Sequence, residues 1–308
     1  MHVQRYDKFE NLLEEGERKV LRAYHSDQYG NEQEDGTYVT LDLDINANLS
    51  IASPFYGDPT VWNDGSSVYL KGWAITKYTI RNMDTDTVYD VLDTIYKPDE
   101  DDFLPANFKM ADEEISYLYY EPKKEGKYPL IIWLQGYGSG GHDLGFVSGG
   151  MLATNFITPE IQGIFDGAHV IMPQAHTAWM DDGSGTYTKT GESCYSKIVD
   201  AMIQDYMDNH EVDFERVYVC GCSNGGFMTL RLILDNPERY AAGIPICPSF
   251  KYSWLHDEDV QKLKDMPLWF VHALSDPEVK IDETSIPIYE RLKRKVMITF
   301  TLHRMIKS

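Results

Sequence analysis

The sequence predicts an α/β protein: a mostly parallel sheet with helices on both faces, preceded by a smaller β-sandwich. Three observations carry this. Residues 18–108 hold strand-like stretches parted by turn formers, with no amphipathic helix between them. From Glu114 onward strands and helices alternate. At 308 residues the chain also exceeds what one hydrophobic core usually holds. The division is set at residues 1–108 for the sandwich with its linker and 109–308 for the α/β domain.

In the first part, strands are expected at Lys19 to His25, Tyr38 to Ile45, Ser67 to Thr79 and Val88 to Ile95. Turn formers separate them at Gln28-Tyr29-Gly30-Asn31, Glu34-Asp35-Gly36 and Asn63-Asp64-Gly65. The acidic, proline-bearing stretch Lys97 to Pro105 reads as a linker.

In the second part, strands are expected at Ile115 to Tyr120, Leu130 to Leu134, Ala168 to Met172, Arg216 to Cys220, Gly243 to Ile246, Leu268 to His272 and Val296 to Leu302. Helices are expected at Cys194 to Asn209, Gly226 to Asp235, Glu258 to Lys264 and Ser285 to Lys293. In such sheets the site lies at the carboxyl ends of the strands.

Gly221-Cys222-Ser223-Asn224-Gly225 falls at one such end, between the apolar run Val217 to Cys220 and the helix-like run Phe227 to Leu234. A Gly-x-Ser-x-Gly string alone is weak evidence, since an ordinary glycine turn can carry it. The strand before it, and a stretch without Gly or Pro that stops at Asn236-Pro237, give it the context of a strained strand-turn-helix. Small residues two positions either side of Ser223 let the chain turn sharply and expose its hydroxyl. Ser223 is therefore expected to be an acyl-transfer nucleophile, with the N–H of Asn224 at a helix start facing a developing oxyanion.

Gln135-Gly136-Tyr137-Gly138-Ser139-Gly140-Gly141 follows the strand Leu130 to Leu134 and is expected to supply the second oxyanion donor, the N–H of Tyr137 or Gly138. No Gly-Lys-Ser/Thr follows it, which argues against a phosphate loop; a plain flexible loop is the blander alternative. The acid that orients the base should follow a later strand. Asp276 does so, although Asp276-Pro277 could simply start a turn. Downstream of Asp276 the chain holds one histidine, His303, in a setting that marks no catalytic loop.

The formal net charge of −21 makes nucleic acid or an anionic membrane surface an unfavourable partner. No apolar run is long enough to span a bilayer, and Met1 to Val20 lacks a signal-peptide core. Localisation is left open, as is assembly with further copies of the chain. Cys194, Cys220, Cys222 and Cys247 form no Cys-x-x-Cys sets, so they are read as buried small apolar residues, with neither a metal nor a required disulfide expected.

Tyr218 to Gly226, Asn236-Pro237-Glu238-Arg239-Tyr240, Pro245-Ile246-Cys247, and Trp269 to Ala273 with Asp276 together resemble α/β-hydrolase esterases related to prolyl-oligopeptidase-type and polyhydroxybutyrate-depolymerase-type enzymes. Members often carry an amino-terminal immunoglobulin-like domain. The resemblance covers about 115 to 290 well and the β-rich part more loosely. It implies Ser223 as nucleophile, Asp276 as triad acid, Asn224 with the Tyr137 region as oxyanion hole, and no cofactor. Family members bear the catalytic histidine in a Gly-His-Trp or Gly-His-x-x-Trp loop beyond the last strand, and no such motif occurs here. The last eighteen residues hold six Lys or Arg and no Asp or Glu. These two observations carry the expectation that the family sequence stops early, with a foreign tail from about Lys295.

The expected function is hydrolysis of carboxylic esters, with small-molecule or carbohydrate-linked esters as substrates and Tyr137, Trp179 and Trp254 as candidate aromatic pocket walls. The alternatives are a prolyl-oligopeptidase-like peptidase, a thioesterase, and a non-catalytic interaction or carbohydrate-binding protein whose hydrolase domain lacks its base.

Overall fold

The computed structural model describes residues 1–45, 49–61, 65, 67–95, 100–149, 153–295 and 301–305. Its contacts fall into two units, Met1–Asp58 with Lys71–Tyr96, and Pro59–Leu70 with Lys97–Ser308.

The first unit is built of β strands: β1 (His2–Tyr6), β2 (Leu12–Glu17), β3 (Val20–Ser26), β4 (Tyr38–Leu43), β5 (Phe55–Val61), β6 (Ser67–Trp73), β7 (Ile75–Arg81) and β8 (Val88–Tyr89), of which β5 and β6 run on into the second unit. The sheets are β2-β1-β7-β8 and the pairs β3-β4 and β5-β6. The stretch expected as one strand from Ser67 to Thr79 divides at Ala74, because β6 pairs with β5 whereas β7 pairs with β1. Of Val88 to Ile95 only Val88–Tyr89 pairs. β1 and β2 escape the sequence pattern because a buried arginine occupies an inward position. Arg5 is 5% exposed and donates to Glu14 and to the carbonyls of Ser50 and Phe55, so burial leaves its charge compensated. The β1–β2 turn is closed by Asp7, whose carboxylate accepts the N–H groups of Phe9 and Asn11 and the Asn11 amide. Asp27 repeats the pattern with Tyr29 and Asn31.

The second unit contains β9 (Leu104–Met110), β10 (Glu113–Tyr120), β11 (Tyr128–Leu134), α1 (Gly145–Gly149), α2 (Pro159–Phe165), β12 (His169–Gln174), α3 (Ser196–Asn209), β13 (Val212–Cys222), α4 (Asn224–Asp235), β14 (Ala242–Ile246), α5 (Asp257–Lys262), β15 (Trp269–Ala273), α6 (Ser285–Lys295) and β16 (Thr301–Met305). The strand order is β16-β15-β14-β13-β11-β12-β10-β9, parallel from β12 to β16, with β9 and β10 antiparallel at one edge. Pairing begins at Leu104, inside the stretch expected to be linker, and β9 extends that edge. Of the last expected strand, residues 296–300 lie outside the described residues, and pairing with β15 runs over Thr301–Met305.

Both faces of the sheet are covered, and successive residues of one strand serve opposite faces. Leu130, Ile132 and Leu134 of β11 enter one core with Ile198 and Met202 of α3, Phe227 of α4, Val260 of α5 and Ile288 of α6. Ile131 and Trp133 enter a second core with Val147 of α1 and Phe165 of α2. Ile198, Val199, Met202, Ile203 and Tyr206 give α3 one apolar stripe, whereas α4 is buried almost throughout. Among the described residues, no helix is long and apolar enough to cross a membrane.

Candidate active site

Ser223 stands between the end of β13 and the start of α4 with φ 55° and ψ −109°, a conformation a residue with a Cβ rarely adopts. The neighbouring glycines are what make this turn feasible. A Cβ on Gly225 would lie 2.0 Å from the Leu134 carbonyl oxygen, and one on Gly221 would lie 2.5 Å from that of Gly225. The turn is held by three backbone hydrogen bonds: Ser223 N–H to Ile246 O (2.8 Å), Ser249 N–H to Ser223 O (3.1 Å) and Phe227 N–H to Ser223 O (2.9 Å). The Ser223 hydroxyl lies 3.4 Å from that of Ser249.

Asn224 opens α4, so its N–H has no partner within the helix. Its side chain is buried and accepts the Trp179 N–H at 2.6 Å. Trp179 in turn donates its indole N–H to Gln135 O at 3.0 Å, tying the segment after β12 to the glycine loop after β11. In that loop Gly136 O accepts the Ser139 N–H at 3.4 Å, and Gly138 has φ +83°, so Tyr137 and Gly138 form the tip of a tight turn.

Asp276 follows β15. One carboxylate oxygen accepts the N–H groups of Glu278 (2.9 Å) and Val279 (3.0 Å), and the other lies 3.5 Å from His272 Nε2. Asp276 thus does start a turn, the blander of its two expected roles, and it faces the same strand end as the elbow. His272 is 1% exposed and has both ring nitrogens engaged, Nδ1 with the Ser285 hydroxyl and Nε2 with Val279 O. Burial holds its pKa below the ordinary value, so it sits as a neutral strut under the Asp276 loop. His303 lies within β16, its backbone in register with Val271. Of the histidines whose side chains the structure describes, none hydrogen-bonds the Ser223 hydroxyl, which lies against Ser249.

Ser223, Asn224 and Tyr137 open onto one cavity of about 670 Å³, walled also by Met180, Tyr187, Ser249, Lys251 and the segment Glu278 to Thr284. Asp276 anchors that last segment. The Tyr137 and Tyr187 rings lie 6.3 Å apart, and burial, then the hydrogen bond to Tyr137, pushes the Tyr187 phenol up from its ordinary pKa. Two expected aromatic walls are corrected: Trp179 is fully buried, and Trp254, 6% exposed, packs on Phe227 and Phe250 and donates to Lys189 O. Their indole N–H groups each find a backbone acceptor, which allows the rings to serve the core. Tyr187 was missed because it follows the irregular run Gly183-Ser184-Gly185-Thr186, where no periodicity points to a pocket. The cysteines also depart from expectation: Cys220 is buried, but Cys194 is exposed and Cys222 and Cys247 are half-buried.

Comparison with known proteins follows the same lines. Residues 2–97 match the esterase Ig-like N-terminal domain, and residues 175–261 match the prolyl oligopeptidase family. Among solved structures, a thermostable esterase is 24% identical, with a TM-score of 0.74 over 98% of this chain and 81% of that one. A ferulic acid esterase is 11% identical, with a TM-score of 0.52 over 67% of this chain and 90% of its own. Fluorophosphonate-binding serine hydrolase F of Staphylococcus aureus is 12% identical, with a TM-score of 0.50 over 67% of this chain and 91% of its own. No curated protein matches the chain. The fold and the matched segments together define an α/β hydrolase preceded by an esterase-type immunoglobulin-like domain. Within that fold, residues 175–261 are similar to the prolyl oligopeptidase family, and the solved neighbours include esterases and a serine hydrolase.

Proposed function

We propose that the protein cleaves carboxylic esters through an acyl-enzyme on Ser223, with Asp276 as the acid and the N–H groups of Asn224 and of Tyr137 or Gly138 as the oxyanion hole. The observation that carries this is the strained, glycine-packed turn that presents the Ser223 hydroxyl to a 670 Å³ cavity at a helix start. In the reaction a base takes the Ser223 proton, the oxygen attacks the ester carbonyl, and the alcohol leaves. Water then releases the acid. The tyrosine pair at the rim supports small aromatic or carbohydrate-linked esters as substrates.

A peptidase is the second reading, favoured by the match of residues 175–261 to the prolyl oligopeptidase family. Hydrolysis of p-nitrophenyl acetate and of an acyl-peptide p-nitroanilide, each measured beside Ser223→Ala, separates the two. Ester turnover well above the variant, with no anilide cleavage, is the expected result. Rates equal to the variant in a folded protein would overturn catalysis by this chain and leave the non-catalytic binding protein as its description.

A further inference from the structure

Beside the elbow lies a pair of thiols that the hydrolytic chemistry does not use. Cys222 immediately precedes Ser223, and its register partner on β14 is Ile246, so Cys247 is the next residue along. The two sulfurs are 3.5 Å apart, and both residues are half-buried, within reach of a small oxidant. Cys247 has φ 35°, so its side chain is held by a fixed, strained turn rather than by a pliant loop.

We propose that Cys222 and Cys247 form a reversible disulfide under peroxide, and that this cross-link slows acylation of Ser223. The part of the proposal that concerns acylation rests on the function proposed above; the cross-link itself does not. The two thiols hydrogen-bond one another, and either sulfur can be the donor. Either sulfur can attack the peroxide first and reach the same disulfide; on one route the attacker is Cys247. It attacks one peroxide oxygen, the O–O bond breaks, and a sulfenic acid and water result. The Cys222 sulfur then attacks Cys247, an S–S bond replaces the S–O bond, and the Cys222 proton leaves with the oxygen as a second water. Two thiols are oxidised and one peroxide is reduced.

Closing the bond draws the sulfurs from 3.5 Å to about 2 Å. The movement is taken up at the carboxyl ends of β13 and β14, where Ile246 O and Ser249 N–H hold the backbone of Ser223. A nucleophile displaced by about 1 Å loses up to a hundredfold in rate.

The test uses the full chain carrying Cys194→Ser, which removes the exposed thiol outside the site. After hydrogen peroxide, the expected result is an intact mass lower by two hydrogens and a tryptic species joining Val217–Arg231 to Tyr240–Lys251 through Cys222. Cys222→Ala and Cys247→Ala, added singly, should each abolish it. The labelling rate with a fluorophosphonate should fall about tenfold and recover on reduction. Alkylation showing both thiols intact, a link through Cys220 instead, or sulfinic acid at Cys247 would overturn the proposal. A cross-linked protein that labels as fast as the reduced one would overturn the control of Ser223. A reduced protein that does not label at all refutes the serine-hydrolase reading, while the mass measurement still decides the cross-link.

Discussion

At the residue scale, the elbow is a packing solution before it is a chemical one. Gly225 is required because the nearest atoms to an added Cβ, at 2.0 Å and 2.6 Å, are backbone atoms of Leu134, and backbone in a central strand cannot swing aside as a side chain can. Gly225→Ala should therefore lose about 3 kcal/mol of stability, read as a lower urea midpoint. Gly163, inside α2 with nothing within 4 Å of its added Cβ, is the contrasting position. Gly163→Ala should be neutral or stabilising by up to about 1 kcal/mol. An equal loss at both positions would show that the turn at Ser223 is not packed as described. The small residues of the elbow were legible in the sequence because their size is the signal. Ser249 and Tyr187 were not, since their place at the cavity depends on where β14 and an irregular loop end in space.

At the element scale, the strands and helices that carry the site were legible because their apolar residues recur at the right period. β11 and β13 read as apolar runs, and α3 and α4 as helices bounded by Asn209 and by Asn236-Pro237. What escaped was shorter or more polar. α1 and α2 span five and seven residues, too few for a helical repeat to declare itself. β1 hides its inward pattern behind Arg5, whose burial is intelligible only once Glu14, Ser50 and Phe55 surround it. The pairing of Leu104–Met110 with β10 was masked by the acidic stretch before it, which reads as linker up to Pro105. These omissions left the site's position intact, because its parts stand on β11, β13, β14 and β15 at the sheet's centre.

At the scale of the whole molecule, buried and half-buried imidazoles couple the fold to pH. His169, His176 and His272 are each held below the ordinary value of 6.5, first by burial. The unfolded chain thus binds protons that the folded one refuses. The stability they contribute is complete above pH 6.5 and is lost as pH falls from there through their folded values. The melting temperature should accordingly drop between pH 7.5 and pH 5.5, and a flat profile would mean that these rings accept protons in place. The central claim concerns one hydroxyl on this scaffold, and the most direct measurement is peptide-mapped labelling of the native chain with a fluorophosphonate, whose phosphorus Ser223 would attack with loss of fluoride. A single adduct on Val217–Arg231 at Ser223 is expected, absent from Ser223→Ala and from the denatured chain. A folded protein that takes no label, or takes it at another residue, would contradict it.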